Sequence, residues 1–141
     1  MENDPLNIQK ILENSRTIAS VGLSSNPEKD SYQVVQYLQQ QGYRIIPVNP
    51  SATEILGEKA YPDLLSVPET PDVVQIFRKP EDTPAVVEQA IQKGVKVVWF
   101  QMETTNPDAV AAARAGGIEV VEEACMRIAH RALMPDRRKV G

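Results

Sequence analysis

A doubly wound α/β fold around one parallel sheet of five strands is what the sequence predicts, and three observations predict it. Apolar runs of strand length recur at 17–21, 44–48, 72–77, 96–100 and 118–121, as in a sheet covered on both faces. Segments with helical spacing separate them. Gly42, Gly94 and the pair Gly116-Gly117 stand where those helices must stop. Strands alternating with helices imply right-handed crossovers and a single layered unit, expected to span residues 1–141. The expected strand order is Rossmann-like, 3-2-1-4-5, with winding reversed between strands 1 and 4. A crevice at that point collects the loops that begin at Gly22 and Gln101, with those at Asn49 and Arg78 beside them.

Taken in order, Asp4-Pro5 supplies an N-cap and a first helical residue, and Ile8, Ile11 and Leu12 share the face of a short helix expected to cover one edge or end of the sheet. Strand 1 ends at Val21. Asp30 or Ser31 then caps a helix from Tyr32 to Gln41 whose inner face is Val34, Val35 and Leu38. Strand 2, Arg44–Val48, runs into Asn49-Pro50. Residues 49–72 read as irregular, broken by Pro50, Gly57, Pro62, Pro68 and Pro71, with one helical turn at Asp63–Ser66. A loop of that length inside a small domain points to function. Later helices present Val86, Val87, Ala90 and Ile91, then an alanine-rich stretch opened by Asn106-Pro107, then Cys125, Ile128, Ala129, Ala132 and Leu133 before Pro135.

Composition narrows the classes of function. The chain has 141 residues, enough to bury about two-thirds of its unfolded surface without disulfides or a structural metal. A single cysteine, Cys125, and a single histidine, His130, supply neither a disulfide framework nor a zinc cluster, and a cytoplasmic location is the default expectation. The net charge of −4 opposes nucleic-acid binding, and the basic run Arg137–Lys139 reads as a solvated tail. No membrane-spanning run is visible, and the acidic start Met1–Pro5 is unlike a signal peptide.

The stretch Thr17–Asn26 carries the chemistry. A buried strand breaks at Gly22, which allows close approach of backbone to ligand; Leu23, Ser24, Ser25 and Asn26 follow, and Ser24, Ser25 and Asn26 are short donors with no bulk to repel an anion. The helix that follows directs its free N–H groups at the same place. Of the dinucleotide fingerprint G-x-G-x-x-G only the first glycine is present; the other positions hold Ser24 and Pro27. Strand 2 ends in Val48-Asn49-Pro50, where an NAD site places a ribose-binding acid, and Asn49-Pro50 offers an amide and an apolar ring to a base or ribose. Arg78 and Lys79 meet further phosphate charge. Glu103 is the one acid expected to face the crevice, and no catalytic pair is visible. His130 reads as a solvated or dipole-compensating residue at a helix end, Trp99 as core or crevice wall, and Cys125 as a small hydrophobe at the start of the last helix.

Several motifs resemble those of the small, stand-alone CoA-binding proteins. They are Val21–Pro27 with Ser31-Tyr32, Gly42–Pro50, Leu56–Pro62, Asp72-Val-Val with Phe77-Arg78, and Cys125–His130, which together cover almost the whole chain. That family is similar in fold to the CoA-binding domain of the succinyl-CoA synthetase α subunit. The resemblance implies coenzyme A with its pyrophosphate on Gly22–Asn26, its nucleotide near Val48, Asn49 and Pro50, Ser31, Tyr32, Phe77 and Arg78 around the site, and Gln101 towards the pantetheine path. The synthetase's phosphohistidine segment belongs to a second domain for which this chain has no room, so ligase chemistry is not carried over.

Two classes of function follow. One is a binding module for CoA or an acyl-CoA, a carrier or sensor without catalysis of its own, with a protein partner left unidentified. The other is an enzyme, either an NAD(P)-dependent oxidoreductase or a detached subunit of an acyl-CoA ligase. An arm crossing the sheet ends towards strand 5 would bring the CoA thiol within reach of Cys125, and a mixed disulfide under oxidising conditions is then expected.

Overall fold

The computed structural model describes residues 3–134. Seven strands and five α-helices form in it: α1 (Pro5–Asn14), β1 (Thr17–Val21), α2 (Asp30–Gln40), β2 (Arg44–Val48), β3 (Glu54–Ile55), β4 (Glu58–Lys59), β5 (Val73–Ile76), α3 (Thr83–Lys93), β6 (Val97–Phe100), α4 (Pro107–Ala115), β7 (Glu119–Val121) and α5 (Met126–Leu133). Five strands make the main sheet and are parallel throughout, as the apolar runs require.

The order of that sheet is β2-β1-β5-β6-β7, which corrects one expectation. Counting only its five strands, the order is 2-1-3-4-5 and not 3-2-1-4-5. After β2 the chain carries no helix; it runs back over the sheet and lays β5 on the free side of β1. There Asp72 fixes the start of β5, its Oδ2 accepting from the N–H groups of Arg16 and Thr17 at 2.8 and 3.0 Å. All four residues of β5 are buried, as suits a central strand. Winding therefore reverses between β1 and β5, and the loop carrying Phe77 and Arg78 becomes the direct neighbour of the Gly22 turn.

Alternation along the strands sends side chains to two cores. Ala19, Val21, Ile46, Val74, Ile76, Val98 and Phe100 pack under α3 and α4; Ile18, Ile45, Val73, Trp99 and Val121 pack under α1, α2 and α5. Helix α1, capped by Asp4 with Pro5 in its first turn, thus covers a face and not an edge of the sheet. Trp99 is core, its Nε1 donating to the Ala124 carbonyl at 2.8 Å.

Other departures are local. Residues 54–59 form a hairpin, β3–β4, turned by Leu56 and Gly57 at φ 55° and 77°; strands of two residues are too short to show a period. Helix α2 begins at Asp30 after Lys29, so neither Asp30 nor Ser31 caps it. On α3 Val87 and Ala90 are buried, Val86 is half-buried and Ile91 is exposed. The buried side of α5 runs through Met126 and His130, flanked by Ala129 and Leu133, leaving Ile128 and Ala132 outside. His130 is accordingly not solvated: its Nδ1 is 2.8 Å from the Tyr37 hydroxyl, and the rings of Tyr37 and Tyr43 meet it edge-on. Pro135 and the Arg137–Lys139 run lie outside the described residues; Met134, before the proline, is extended.

Candidate functional site

Gly22 stands at φ +90°, and a Cβ there would lie 3.1 Å from the Phe77 carbonyl and 3.0 Å from Arg78 Cδ. Glycine is thus required by the chain itself, since the turn leaves β1 pressed against the end of β5. Two clefts open at the carboxyl ends of the strands, on opposite faces of the sheet, and Gly22 lines both.

The first cleft, about 360 Å³, lies on the α3 side. Val21, Val48, Pro50, Pro62, Leu64 and Val86 give it an apolar wall, and Arg78, Asp63, Glu81 and Asp82 a charged rim. Most of that rim is already engaged. Arg78 reaches Asp82, four residues on, at 3.0 Å, and Gln89 Oε1 accepts from the N–H groups of Leu64 and Leu65. Asp63 accepts from the Ser66 hydroxyl and N–H, which hold its carboxyl below the usual carboxylate range and keep it charged at neutral pH.

The second cleft, about 510 Å³, lies towards α2 and α5. Ser24, Lys29, Asp30, Ser31, Phe77, Gln101, Glu103 and Cys125 line it together with Gly22. Its donors are unspent to a degree that the first cleft does not match. Within the turn, Gly22 N–H donates to the Val48 carbonyl (2.9 Å), Ser24 N–H to Ser31 Oγ (3.0 Å) and Asn26 N–H to Ser24 Oγ (3.0 Å). Among the described residues, however, the N–H groups of Leu23, Ser25, Asp30, Ser31 and Tyr32 donate to no protein acceptor. Of these, Asp30 and Ser31 line the cleft, and with the hydroxyl protons of Ser24 and Ser31 they supply donors suited to an anion.

Sequence reasoning placed the residues more evenly than the fold does. Gly22, Ser24, Ser31, Phe77 and Gln101 converge on the second cleft, and Val48, Pro50 and Arg78 on the first. Asn49 lines neither cleft; its Nδ2 donates to the Leu23 carbonyl and its Oδ1 accepts from the Ser51 N–H, tying the first two loops together. Leu23 is fully buried and lines neither cleft, and Tyr32 packs against the core beneath α2. Ser25 and Asn26 are exposed and line neither cleft. Missed were Lys29, Asp30 and Thr104 in one cleft and Pro62, Leu64 and Val86 in the other. Glu103 has acidic company in Asp30. Only the prolines and length of the 49–72 loop signalled any of these.

A family model described as CoA binding domain matches residues 16–131. The chain belongs to this CoA-binding family. Among its relatives, the uncharacterised protein YneT of Bacillus subtilis is 37% identical over 123 residues, covering 87% of this chain and 91% of that protein. A solved structure, of a hypothetical protein from Pyrococcus horikoshii, is 43% identical with a TM-score of 0.91, covering 94% of this chain and 93% of the other. The α subunit of an ADP-forming acetate–CoA ligase from Pyrococcus furiosus is 37% identical over 91 residues, 60% of this chain but only 20% of that subunit. The CoA-binding domain here is therefore related to one portion of acyl-CoA ligase subunits. Among the described residues, no helix is long and apolar enough to cross a membrane.

Proposed function

We propose that this chain binds coenzyme A or an acyl-CoA and serves as a carrier or sensor without chemical turnover of its own. The observation that carries the reading is the meeting of two clefts at Gly22, with the unspent backbone donors of Asp30 and Ser31 in the first turn of α2 lining one of them. A diphosphate with a substituent at each end fits that plan. The diphosphate lies against the turn, the nucleotide in the apolar first cleft between Val48, Pro50 and Leu64, and the pantetheine arm in the second. Arg78, over Gly22, answers the extra phosphate charge once it is drawn from Asp82. Membership of the CoA-binding family supports the choice of ligand, and the lack of an acid after Val48 disfavours NAD.

Calorimetric titration with CoA, dephospho-CoA and NAD tests the reading, alongside mass spectrometry of any nucleotide retained on purification. CoA is expected to bind tightest and dephospho-CoA less well. NAD binding more tightly than CoA would overturn it. Similarity to a ligase α subunit favours a second reading, in which the chain works with an ATP-grasp partner; co-purification of such a partner, with ADP-dependent acyl transfer, would establish it.

A further inference from the structure

A chain of buried polar side chains runs beneath the second cleft. The Ser20 hydroxyl donates to Gln75 Oε1 at 2.8 Å, Gln75 Nε2 donates to Gln101 Oε1 at 3.1 Å, and the same Gln101 oxygen accepts the Met126 N–H at 2.9 Å. Ser20 and Gln75 are wholly buried and Gln101 is 5% exposed. A backbone N–H is a donor without ambiguity, so the Met126 bond alone fixes which end of the Gln101 amide is oxygen. Its NH2 group is left over. No protein acceptor takes it among the described residues, and it is not one of the polar atoms sealed from solvent, so it opens into the cleft that Gln101 lines.

Two N–H bonds that no protein atom takes, at a nearly buried position open to the cleft, are free to meet an acceptor brought by the ligand. Building on the CoA reading, we propose that Gln101 determines specificity by donating to an amide carbonyl of the pantetheine arm, and that Gln75 is the positioning residue that aims it. The spacing agrees. Gln101 follows β6, two strands from the β1 end, or roughly 10 Å at ordinary strand separation. An extended arm gains about 1.2 Å per bond, which puts its second amide carbonyl about 10 Å from the diphosphate. Phe77, on the intervening loop, offers the methylenes an apolar flank.

The test is calorimetric titration of the full chain with CoA and with 3′-phospho-ADP, the same nucleotide lacking the arm. Gln101→Met removes the donor. Gln101→Glu removes it while keeping an acceptor for Gln75 and Met126, and so guards against loss of the fold. Either variant is expected to weaken CoA by about three- to tenfold and to leave 3′-phospho-ADP unchanged. Gln75→Glu, which still accepts from Ser20 but no longer donates to Gln101, is expected to act in the same direction by a smaller factor, again on CoA alone. Equal losses on both ligands, or unchanged CoA binding by folded Gln101→Glu, would overturn the assignment. Wild-type protein that binds 3′-phospho-ADP no less tightly than CoA also overturns it, whereas wild-type protein that binds neither removes the CoA reading itself and this inference with it.

Discussion

The two clefts that meet at Gly22 are built on opposite principles. On the α3 side the polar groups are satisfied by one another, Arg78 by Asp82, Asp63 by Ser66, Gln89 by Leu64 and Leu65, so what faces a ligand is shape and an apolar wall. On the α2 and α5 side the donors of Asp30 and Ser31 in the first turn of α2, and of Gln101, line the cleft unpaired. One cleft selects by fit and the other by hydrogen bonds. A ligand that spans both must have one flat apolar end and one flexible polar arm, joined by an anion.

The largest effect is expected where the clefts share a residue. Gly22→Val sets a branched side chain against the Phe77 carbonyl at a φ that favours glycine, so it should abolish CoA binding and lower the melting temperature together. Calorimetry and thermal denaturation on the same preparation check this; a folded variant that binds CoA like wild type would break the comparison at its centre. Leu64→Ala attacks the shape-selective cleft alone. Leu64 is 1% exposed, and its truncation should cost about 2–5 kcal/mol of stability. It should weaken 3′-phospho-ADP and CoA by the same factor, as read by parallel titrations.

Smaller effects sharpen the contrast. A charge-assisted bond to phosphate is worth about 1.5–3 kcal/mol, but Arg78 is half exposed and must first leave Asp82, so Arg78→Ala should weaken CoA by only about three- to tenfold. Asp82→Ala frees the guanidinium. Because exposed pairs contribute about 0.2–1 kcal/mol, this variant should tighten CoA by no more than about fivefold, with a steeper salt dependence. Looser binding by Asp82→Ala would show that the pair, and not the free arginine, shapes the rim.

What the sequence discloses of this site follows the range of the interactions. Strands β1 and β2, the Asp4 and Asn106 caps and the glycine stops depend on neighbours in the chain and were legible. Strand order was not, because the side of β1 on which β5 pairs is settled by a helix-free crossover and by Asp72 reaching Arg16 and Thr17, contacts 55 and 56 residues apart. The turn at Gly22 was found from its own residues. Its partners Leu64 and Val86 were not, since the length and prolines of the 49–72 loop mark the loop without singling out Leu64, and Val86 reads as one more apolar position of a helix. His130 shows the same limit: its place near a helix end suggested solvent, while the burial that defines it comes from Tyr37 and Tyr43 on other elements.

The smallest expected effect concerns the rim of the hydrogen-bonding cleft. Glu103 and Glu123 both adopt positive φ, at 67° and 48°, and the Glu103 N–H donates to Glu123 Oε2 at 3.3 Å, clipping the loop after β6 to the loop after β7. That bond favours the charged carboxylate and holds Glu123 below the usual carboxylate range. A carboxyl depressed in the folded state contributes stability that is fully present above its ordinary value and is lost as pH falls through the folded one. The clip should therefore be closed at neutral pH and open only in acid below the usual carboxylate range. Being exposed, it should change global stability little. The readout is local: hydrogen-exchange protection of the Glu103 amide should fall on acidification in wild type and be low at all pH values in Glu123→Ala, while amides of the Asp63–Ser66 turn on the other cleft stay as in wild type. Protection at Glu103 that survives Glu123→Ala would mean that backbone geometry alone holds this rim.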